Sequence, residues 1–208
     1  ATQLPGGKAG MVTVLLGNND VCAPSLVEMT DTQLFEDQFR AGLDVLANDE
    51  ATRLSQIHVS GIPAIYWLWT AKFDNFWCSV FAWPNVPCEN LLDGPADDCA
   101  SPASRNDPDF VHVGDGDNCM RRKQFHQIVR DDYNSVLQSV ANEYRENGLL
   151  PNIRYTDIYD VQFSSIHVNG GGFLEGDCFH PSREGHALLA TESWCRTHWR
   201  HNDAQCSN

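Results

Sequence analysis

Two short segments of the chain combine residue types that can carry acid–base chemistry. The first is Leu15–Asp20, in which a glycine, two asparagines and an aspartate directly follow an apolar run. Glycine permits the sharp turn that ends a buried strand, and an asparagine amide at that position can donate a hydrogen bond to a developing oxyanion. The segment therefore favours a loop that stabilises negative charge.

The second segment is Asp177–His186, which contains an aspartate three residues before a histidine. At this spacing the carboxylate of Asp177 can turn back and hold one nitrogen of the His180 imidazole. The other nitrogen is then available to act as a general base. The pair predicts proton transfer.

Three strands and four helices are expected to bring these segments together. The continuous apolar run Met11–Leu16 is typical of a buried parallel strand. Further strands are predicted at Ser55–Gly61 and Asn152–Ile158. Helices are predicted from a capping box at Thr30–Gln33 to about Leu46, at Ala64–Lys72, at Met120–Asn147, and from Ser182 to Trp199.

The alternation of strands and helices predicts an α/β fold with a parallel sheet, in which sites lie at the carboxyl ends of the strands. Both chemical segments fall in loops of that kind. The chain of 208 residues is interpreted as one domain, 1–208. From about 74 to 118 the periodicity fails among many Pro, Asp, Asn and Cys residues, which predicts a long disulfide-tied insertion.

Composition excludes several classes of function. A formal net charge of -14 argues against nucleic acid as a partner. No apolar run approaches the roughly 18–20 residues of a transmembrane segment. Eight scattered cysteines without a C-x-x-C pair favour disulfides and an oxidising compartment, so a secreted or periplasmic location is expected. The local spacing suggests pairs Cys78–Cys88 and Cys99–Cys119.

At the two chemical segments the chain resembles the SGNH (GDSL-type) hydrolases, a family of secreted esterases and lipases. Gly17–Asp20 is similar to the family's G-x-N-D block, and Asp177–His180 is similar to its D-x-x-H block, about 160 residues later. The likeness extends to Ser60–Pro63, Tyr66–Trp69 and Tyr133–Asn134. It implies a three-layer α/β/α, flavodoxin-like fold and hydrolysis of carboxylic esters on a small-molecule substrate.

The resemblance also implies a role for each matching residue. His180 would be the general base and Asp177 its orienting carboxylate. Asn19 would supply an amide of the oxyanion hole, Asp20 would brace the loop, and Gly17 would form the turn. No cofactor is implied.

The chain departs from the family at the nucleophile. The family's G-D-S serine block lies upstream of G-x-N-D, yet sixteen residues precede Gly17 and none is a serine. The sheet is therefore expected to be incomplete at its N-terminal strands, leaving an open strand edge at Val12–Leu16. We expect this edge to be filled by a separate N-terminal chain of the same protein, by a segment swapped from a second copy, or by Ala1–Gly10.

Other interpretations stay open at this point. One alternative is a catalytically silent relative that binds a ligand, with Asn19 and Asp20 as turn formers. Alternatively, Asp177 and His180 activate water or another side chain on an ester, phosphoester or glycoside, with Ser60 and Ser79 as candidate nucleophiles. The acid-rich loop 93–118 suggests calcium, although its spacing does not match an EF-hand.

Overall fold

The computed structural model describes residues 3–4, 8–65, 76, 78–92, 124–161, 179–200 and 206. The strands are β1 Gln3–Leu4, β2 Lys8–Ala9, β3 Met11–Leu15, β4 Gln56–Ser60 and β5 Ile153–Thr156. The α-helices are α1 Asn18–Val21, α2 Thr32–Asn48, α3 Glu89–Leu92, α4 Asn134–Glu146 and α5 Arg183–Cys195. Turns of 3₁₀-helix lie at Leu26–Glu28, Trp83–Asn85 and His198–Arg200, and π-helical turns at Cys78–Ala82 and Ile128–Tyr133. None of these helices is long and apolar enough to cross a membrane.

A parallel sheet forms the centre of the fold. Its order is β3-β4-β5, and the pairs Leu15–Ser60 and Ser60–Thr156 align the carboxyl ends of all three strands. The central strand β4 is almost wholly buried, because it has a neighbour on each side and helices on both faces. The three strands predicted from the sequence are confirmed, each one or a few residues shorter than expected.

The faces of the sheet are covered by different helices. On one face the Ser193 hydroxyl of α5 lies 2.6 Å from the Ser60 hydroxyl and 3.2 Å from His58 Nε2. On the other face Ile57 and Val59 are fully buried, and Asn134 of α4 contacts the backbone just beyond β4. Since side chains alternate along a strand, the result is the three-layer α/β/α arrangement predicted above.

The cap of α2 differs from the predicted capping box. The carboxylate of Asp31, not the Thr30 hydroxyl, accepts hydrogen bonds from the backbone N–H groups of Gln33 (3.0 Å) and Leu34 (3.2 Å). The backbone N–H of Thr30 instead donates to the carbonyl of Asp20, which ties Thr30 to α1. Asp31 thus satisfies two donors that a helix start leaves unpaired.

The predicted helix Met120–Asn147 contains a π-helical turn in its described part. Residues 124–127 are helical, Ile128–Tyr133 forms the π turn, and α4 follows at once. The side chains predicted to point inward are buried or partly buried: Phe125, Ile128, Val129, Val136, Leu137, Val140 and Tyr144. The last helix also stops earlier than predicted, at Cys195, although Ser182 caps it as expected by accepting from Gly185 N.

Among the described residues, each outer strand of the sheet, β3 and β5, has β4 as its only neighbour, and β3 is the edge where the sequence predicts missing strands. The described residues of the N-terminal segment pair with each other as the antiparallel hairpin β1-β2, so the expectation that Ala1–Gly10 itself fills the edge is wrong for them. Within the described residues, β3 pairs with β4 alone. Leu15 is 47% exposed at the end of this edge strand.

The disulfides correct the local pairing expected from spacing. Cys88 bonds to Cys22, not to Cys78, and Cys195 bonds to Cys206. The physical reason is that the described part of the predicted insertion, 78–92, folds as consecutive helical turns, which carry Cys88 to the loop after β3. Cys99 and Cys119 lie outside the described residues, as do positions 66–72 of the predicted helix Ala64–Lys72 and the whole of 93–118.

The buried His58 is expected to make stability depend on pH. Burial lowers the pKa of this imidazole below its usual 6.5, so the unfolded chain binds the proton more readily. His58 therefore contributes stability above about pH 6.5 that is lost as pH falls, by at most about 1.4 kcal/mol per pH unit. In His58→Gln the free energy of unfolding should fall less steeply as pH decreases, as measured by urea unfolding between about pH 5 and 8. Equal slopes for variant and wild type below about pH 6.5 would contradict this account.

Candidate functional site

The loop after β3 is a sharp turn set by one glycine. Gly17 has φ 98°, in the left-handed region, and its carbonyl accepts from the N–H groups of Asp20 and Val21, each at 3.1 Å. The four-residue helix α1 starts immediately, so the chain reverses within one turn of the strand end. Asn18 and Asn19 consequently sit at the carboxyl edge of the sheet.

Gly17 is also a point of close contact. A Cβ atom at this position would lie 2.5 Å from Ile62 Cδ1 and 3.3 Å from Phe35 Cζ. Ile62 follows β4, so the loops after the two neighbouring strands touch through the absent side chain. The predicted turn at Gly17 is thus confirmed, with a packing reason that the sequence pattern did not reveal.

Asp20 lies where α1 meets the segment that leads into α2. Its carbonyl accepts a 3.0 Å hydrogen bond from Thr30 N, and the carbonyl of Thr30 accepts from the Tyr133 hydroxyl. Burial, together with the negative charge of Asp20, raises the pKa of Tyr133 to about 12. These contacts connect the loop to the start of α4.

His180 lies just before α5. Its ring is exposed and packs edge-on against Phe179, with centroids 5.2 Å apart. Phe179 in turn packs edge-on against the fully buried Trp83, with ring centroids 6.4 Å apart. Ser182 caps α5 two residues later, and this cap fixes the direction in which the chain enters the helix.

Asn19 and His180 line the same two adjoining cavities. The larger has a volume of about 460 Å³ and is bounded by Asn19, Cys22, Asn85, Val86, Pro87, Phe179 and His180. The smaller, about 220 Å³, is bounded by Leu15, Asn18, Asn19, Pro63, Ile65, Phe179, His180, Pro181, His186 and Leu189. We call the two together the cleft. It combines a mainly apolar wall with an amide and an imidazole.

The amide of Asn19 is available to a ligand. Its side chain is exposed, and no hydrogen bond to it is found within the described part of the chain. An amide N–H facing an apolar cavity can donate to a carbonyl oxygen as negative charge develops on it. The roles assigned to Asn19 and His180 stay predictions, while their placement in one cleft is a feature of the structure.

The described residues do not place any of the remaining candidates at the cleft. Asp177 lies outside the described residues, so its partnership with His180 stays a prediction. No serine is among the described residues that bound the cleft. Ser60 is buried, shares a hydrogen bond with Ser193 and does not bound the cleft, and the side chain of Ser79 is outside the described set. Neither therefore gains support as a substitute nucleophile.

One wall of the cleft was missed by the sequence interpretation. Asn85, Val86 and Pro87 belong to the segment interpreted as an insertion, yet they bound the larger cavity. The disulfide from the buried Cys88 to Cys22 holds this wall against the loop after β3. The sequence did offer one signal, Cys22, two residues after Asp20. Its disulfide partner could not be selected among the other cysteines from sequence alone.

The described residues hold no group of three or more His, Cys, Asp or Glu side chains placed to bind a metal ion. The acid-rich loop 93–118, which suggested calcium, lies outside those residues. Calcium therefore stays an untested alternative.

Comparison with known protein families gives one match. Residues 6–193 match the family described as GDSL-like Lipase/Acylhydrolase. A search of curated proteins and a search of solved structures each gave no match. The family match spans β3, the loop with Asn19, β4, α4, β5, His180 and most of α5. The chain therefore belongs to the GDSL-like lipase/acylhydrolase family of hydrolases.

Proposed function

We propose that this chain carries the general base and part of the oxyanion hole of a carboxylic ester hydrolase. The observation that supports this most directly is that Asn19 and His180, from loops more than 150 residues apart in sequence, bound the same cleft. A base and an amide donor on opposite sides of a substrate carbonyl are what acyl transfer requires.

The proposed reaction proceeds in two stages. A serine hydroxyl attacks the ester carbonyl carbon while His180 accepts the hydroxyl proton, and Asn19 donates a hydrogen bond to the resulting oxyanion. The intermediate collapses to an acyl-serine, and His180 returns the proton to the departing alcohol. Water then attacks the acyl-serine by the same route, releasing the acid and regenerating the serine. Asp177 orients the imidazole throughout.

We propose that the serine is supplied by a segment paired with the open edge of β3. This edge lies beside the cleft, since Leu15 both ends β3 and bounds the smaller cavity. An unpaired edge strand recruits a further strand, and a serine following that strand would face Asn19. The donor is an N-terminal chain of the same protein or a second copy.

The lining of the smaller cavity suggests the acyl side of the substrate. Leu15, Pro63, Ile65 and Leu189 are apolar and lie next to the imidazole. An apolar acyl group in this cavity would present its carbonyl to Asn19 and His180. The disulfides support an oxidising location, and we place the protein outside the cytoplasm, secreted or periplasmic.

A second candidate function is ligand binding without turnover. It is favoured by the lack of a serine among the described residues of the cleft. In that case the cleft would hold an apolar ester or acid, and His180 would contribute a hydrogen bond and not proton transfer.

The test is labelling with a fluorophosphonate, which reacts with activated serines. The purified protein and everything that co-purifies is labelled, then mapped by intact mass and peptide analysis. We expect a label on one serine, and we expect His180→Ala to slow labelling by at least about 100-fold because the base is lost. The matched control is His198→Ala, which removes an exposed imidazole that does not bound the cleft and should change the rate less than about 3-fold.

The outcomes separate the candidates. Labelling that depends on His180 supports the hydrolase and identifies the polypeptide that carries the serine. No label on any chain, together with retained binding of a fatty acid, would reject the hydrolase in favour of the binding protein. Labelling that is equally fast in His180→Ala would reject the assignment of the base.

A further inference from the structure

The first residue of α4 makes an unusual pair of contacts with the backbone of Ile62. Asn134 is 5% exposed, and its side-chain Oδ1 accepts from Ile62 N at 2.7 Å. Its Nδ2 donates to Ile62 O at 2.9 Å. The side-chain amide of Asn134 therefore satisfies both the backbone N–H and the backbone C=O of Ile62.

This contact lies where the sheet stops supporting the chain. The last hydrogen bond from the end of β4 to β5 is from Gly61 N to Thr156 O, at 2.9 Å. Ala64 N next bonds to Tyr159 O, at 3.1 Å. Ile62 lies between these two anchors, and Asn134 replaces the strand partner that Ile62 lacks. An unsatisfied buried N–H or C=O is costly, so the loop conformation depends on this amide.

The loop fixed in this way controls the position of the oxyanion loop. Ile62 is fully buried, and its Cδ1 occupies the space that a side chain on Gly17 would need. Asn19 follows Gly17 by two residues. On the other side of Ile62, Pro63 and Ile65 form part of the smaller cavity. A shift of Ile62 would therefore move both an amide donor and the wall of the cleft.

Two local features support this contact. The Asn134 N–H donates to Val129 O, five residues earlier, which is the π-helical spacing. π-Helical turns are rare in proteins overall, and those that occur often lie at functional sites. Gly61 provides the second feature, since a Cβ there would approach Asn134 Oδ1 to 3.2 Å and the Tyr155 hydroxyl to 2.6 Å.

We propose that Asn134 is a positioning residue, which acts through Ile62 and Gly17 to set the Asn19 amide relative to His180. This inference rests on the proposed function for its catalytic meaning, while the positioning itself is a property of the fold. Asn134 is not among the described residues that bound the cleft.

The test compares Asn134→Ala and Asn134→Asp with a matched control, Asn152→Ala. Asn152 also binds backbone, donating from Nδ2 to Leu54 O at 2.9 Å, but at the opposite end of the sheet. The first readout is the NMR shifts of the Gly17 N–H and the Asn19 side-chain NH₂. We expect both to move in Asn134→Ala and neither to move in Asn152→Ala.

The Asp variant adds a pH signature that a merely structural role would not produce. An ionised carboxylate accepts from Ile62 N but cannot donate to Ile62 O, whereas a protonated carboxyl group can do both. We therefore expect the Gly17 and Asn19 signals of Asn134→Asp to return toward wild type as pH falls to about 5. Asn134→Ala should show no such return. If the Ala variant does not fold, the Asp variant carries this test.

The second readout is fluorophosphonate labelling, with its rate constant and reagent affinity determined separately. We expect Asn134→Ala to lower the maximal rate about 10-fold while affinity changes less than about 2-fold. Unmoved Gly17 and Asn19 signals in a folded variant, or equal movement in Asn152→Ala, would overturn the inference. A wild-type protein that does not label overturns the proposed function instead, and the NMR comparison still decides the positioning.

Discussion

Removal of the Cys22–Cys88 disulfide is expected to lower the free energy of unfolding by about 4 kcal/mol. The two cysteines are separated by 66 residues, and a cross-link stabilises mainly by restricting the unfolded chain, more so for a long loop. Cys88 is fully buried, so Cys22→Ala/Cys88→Ala avoids placing a hydroxyl in the core. Equilibrium unfolding in guanidinium chloride without reductant measures the loss.

The matched control is the other described disulfide. Cys195 and Cys206 are separated by 11 residues, for which the same relation gives about 3 kcal/mol. We expect Cys195→Ala/Cys206→Ala to cost less and to leave labelling by fluorophosphonate within about 3-fold of wild type. Loss of the Cys22–Cys88 bond should slow labelling more strongly, because that bond holds one wall of the cleft against the loop that carries Asn19. Equal effects of the two double variants on stability and labelling would contradict this view.

The strands of the parallel sheet were predictable from sequence, although their burial was not. Met11–Leu15 was predicted as a buried strand from its apolar run, yet it lies at the edge and none of its residues is fully buried. Gln56–Ser60 contains three polar residues, yet it is the buried central strand. The helix cap was predicted one residue too early. Thr30 and Asp31 are both good caps, and the choice between them depends on Asp20, which holds Thr30 by its backbone.

The cleft was predictable only in part, for a physical reason. The turn at Gly17 and the histidine before α5 have local signatures, and the order of strands places their loops at one edge of the sheet. The wall formed by Asn85–Pro87 has no local sequence signature, because its position depends on a disulfide between distant residues. The contact of Asn134 with Ile62 likewise joins residues 72 positions apart. Such pairings follow from the folded topology and not from spacing.

Gly17→Ala is expected to destabilise the protein by about 3 kcal/mol. A residue with a Cβ at φ 98° costs roughly 1–2 kcal/mol, and the added carbon would lie 2.5 Å from Ile62 Cδ1 in a closely packed contact. Relieving that overlap typically costs another 1–3 kcal/mol. Urea unfolding measures the total, and fluorophosphonate labelling reports whether displacement of the loop also affects the cleft.

Two other glycines separate the contributions of backbone strain and overlap. Gly148 has φ 70° with nothing within 4 Å of the added carbon, so Gly148→Ala should cost only the backbone strain, about 1 kcal/mol. Gly42 lies inside α2 with open space around it, so Gly42→Ala should stabilise by up to about 1 kcal/mol. Ile62→Val removes the overlapping Cδ1, and in the Gly17→Ala background it should recover part of the loss, because the two residues interact. If Ile62→Val and Gly17→Ala were instead simply additive, the contact between the two loops would not be the cause, and backbone strain alone would account for the glycine at position 17.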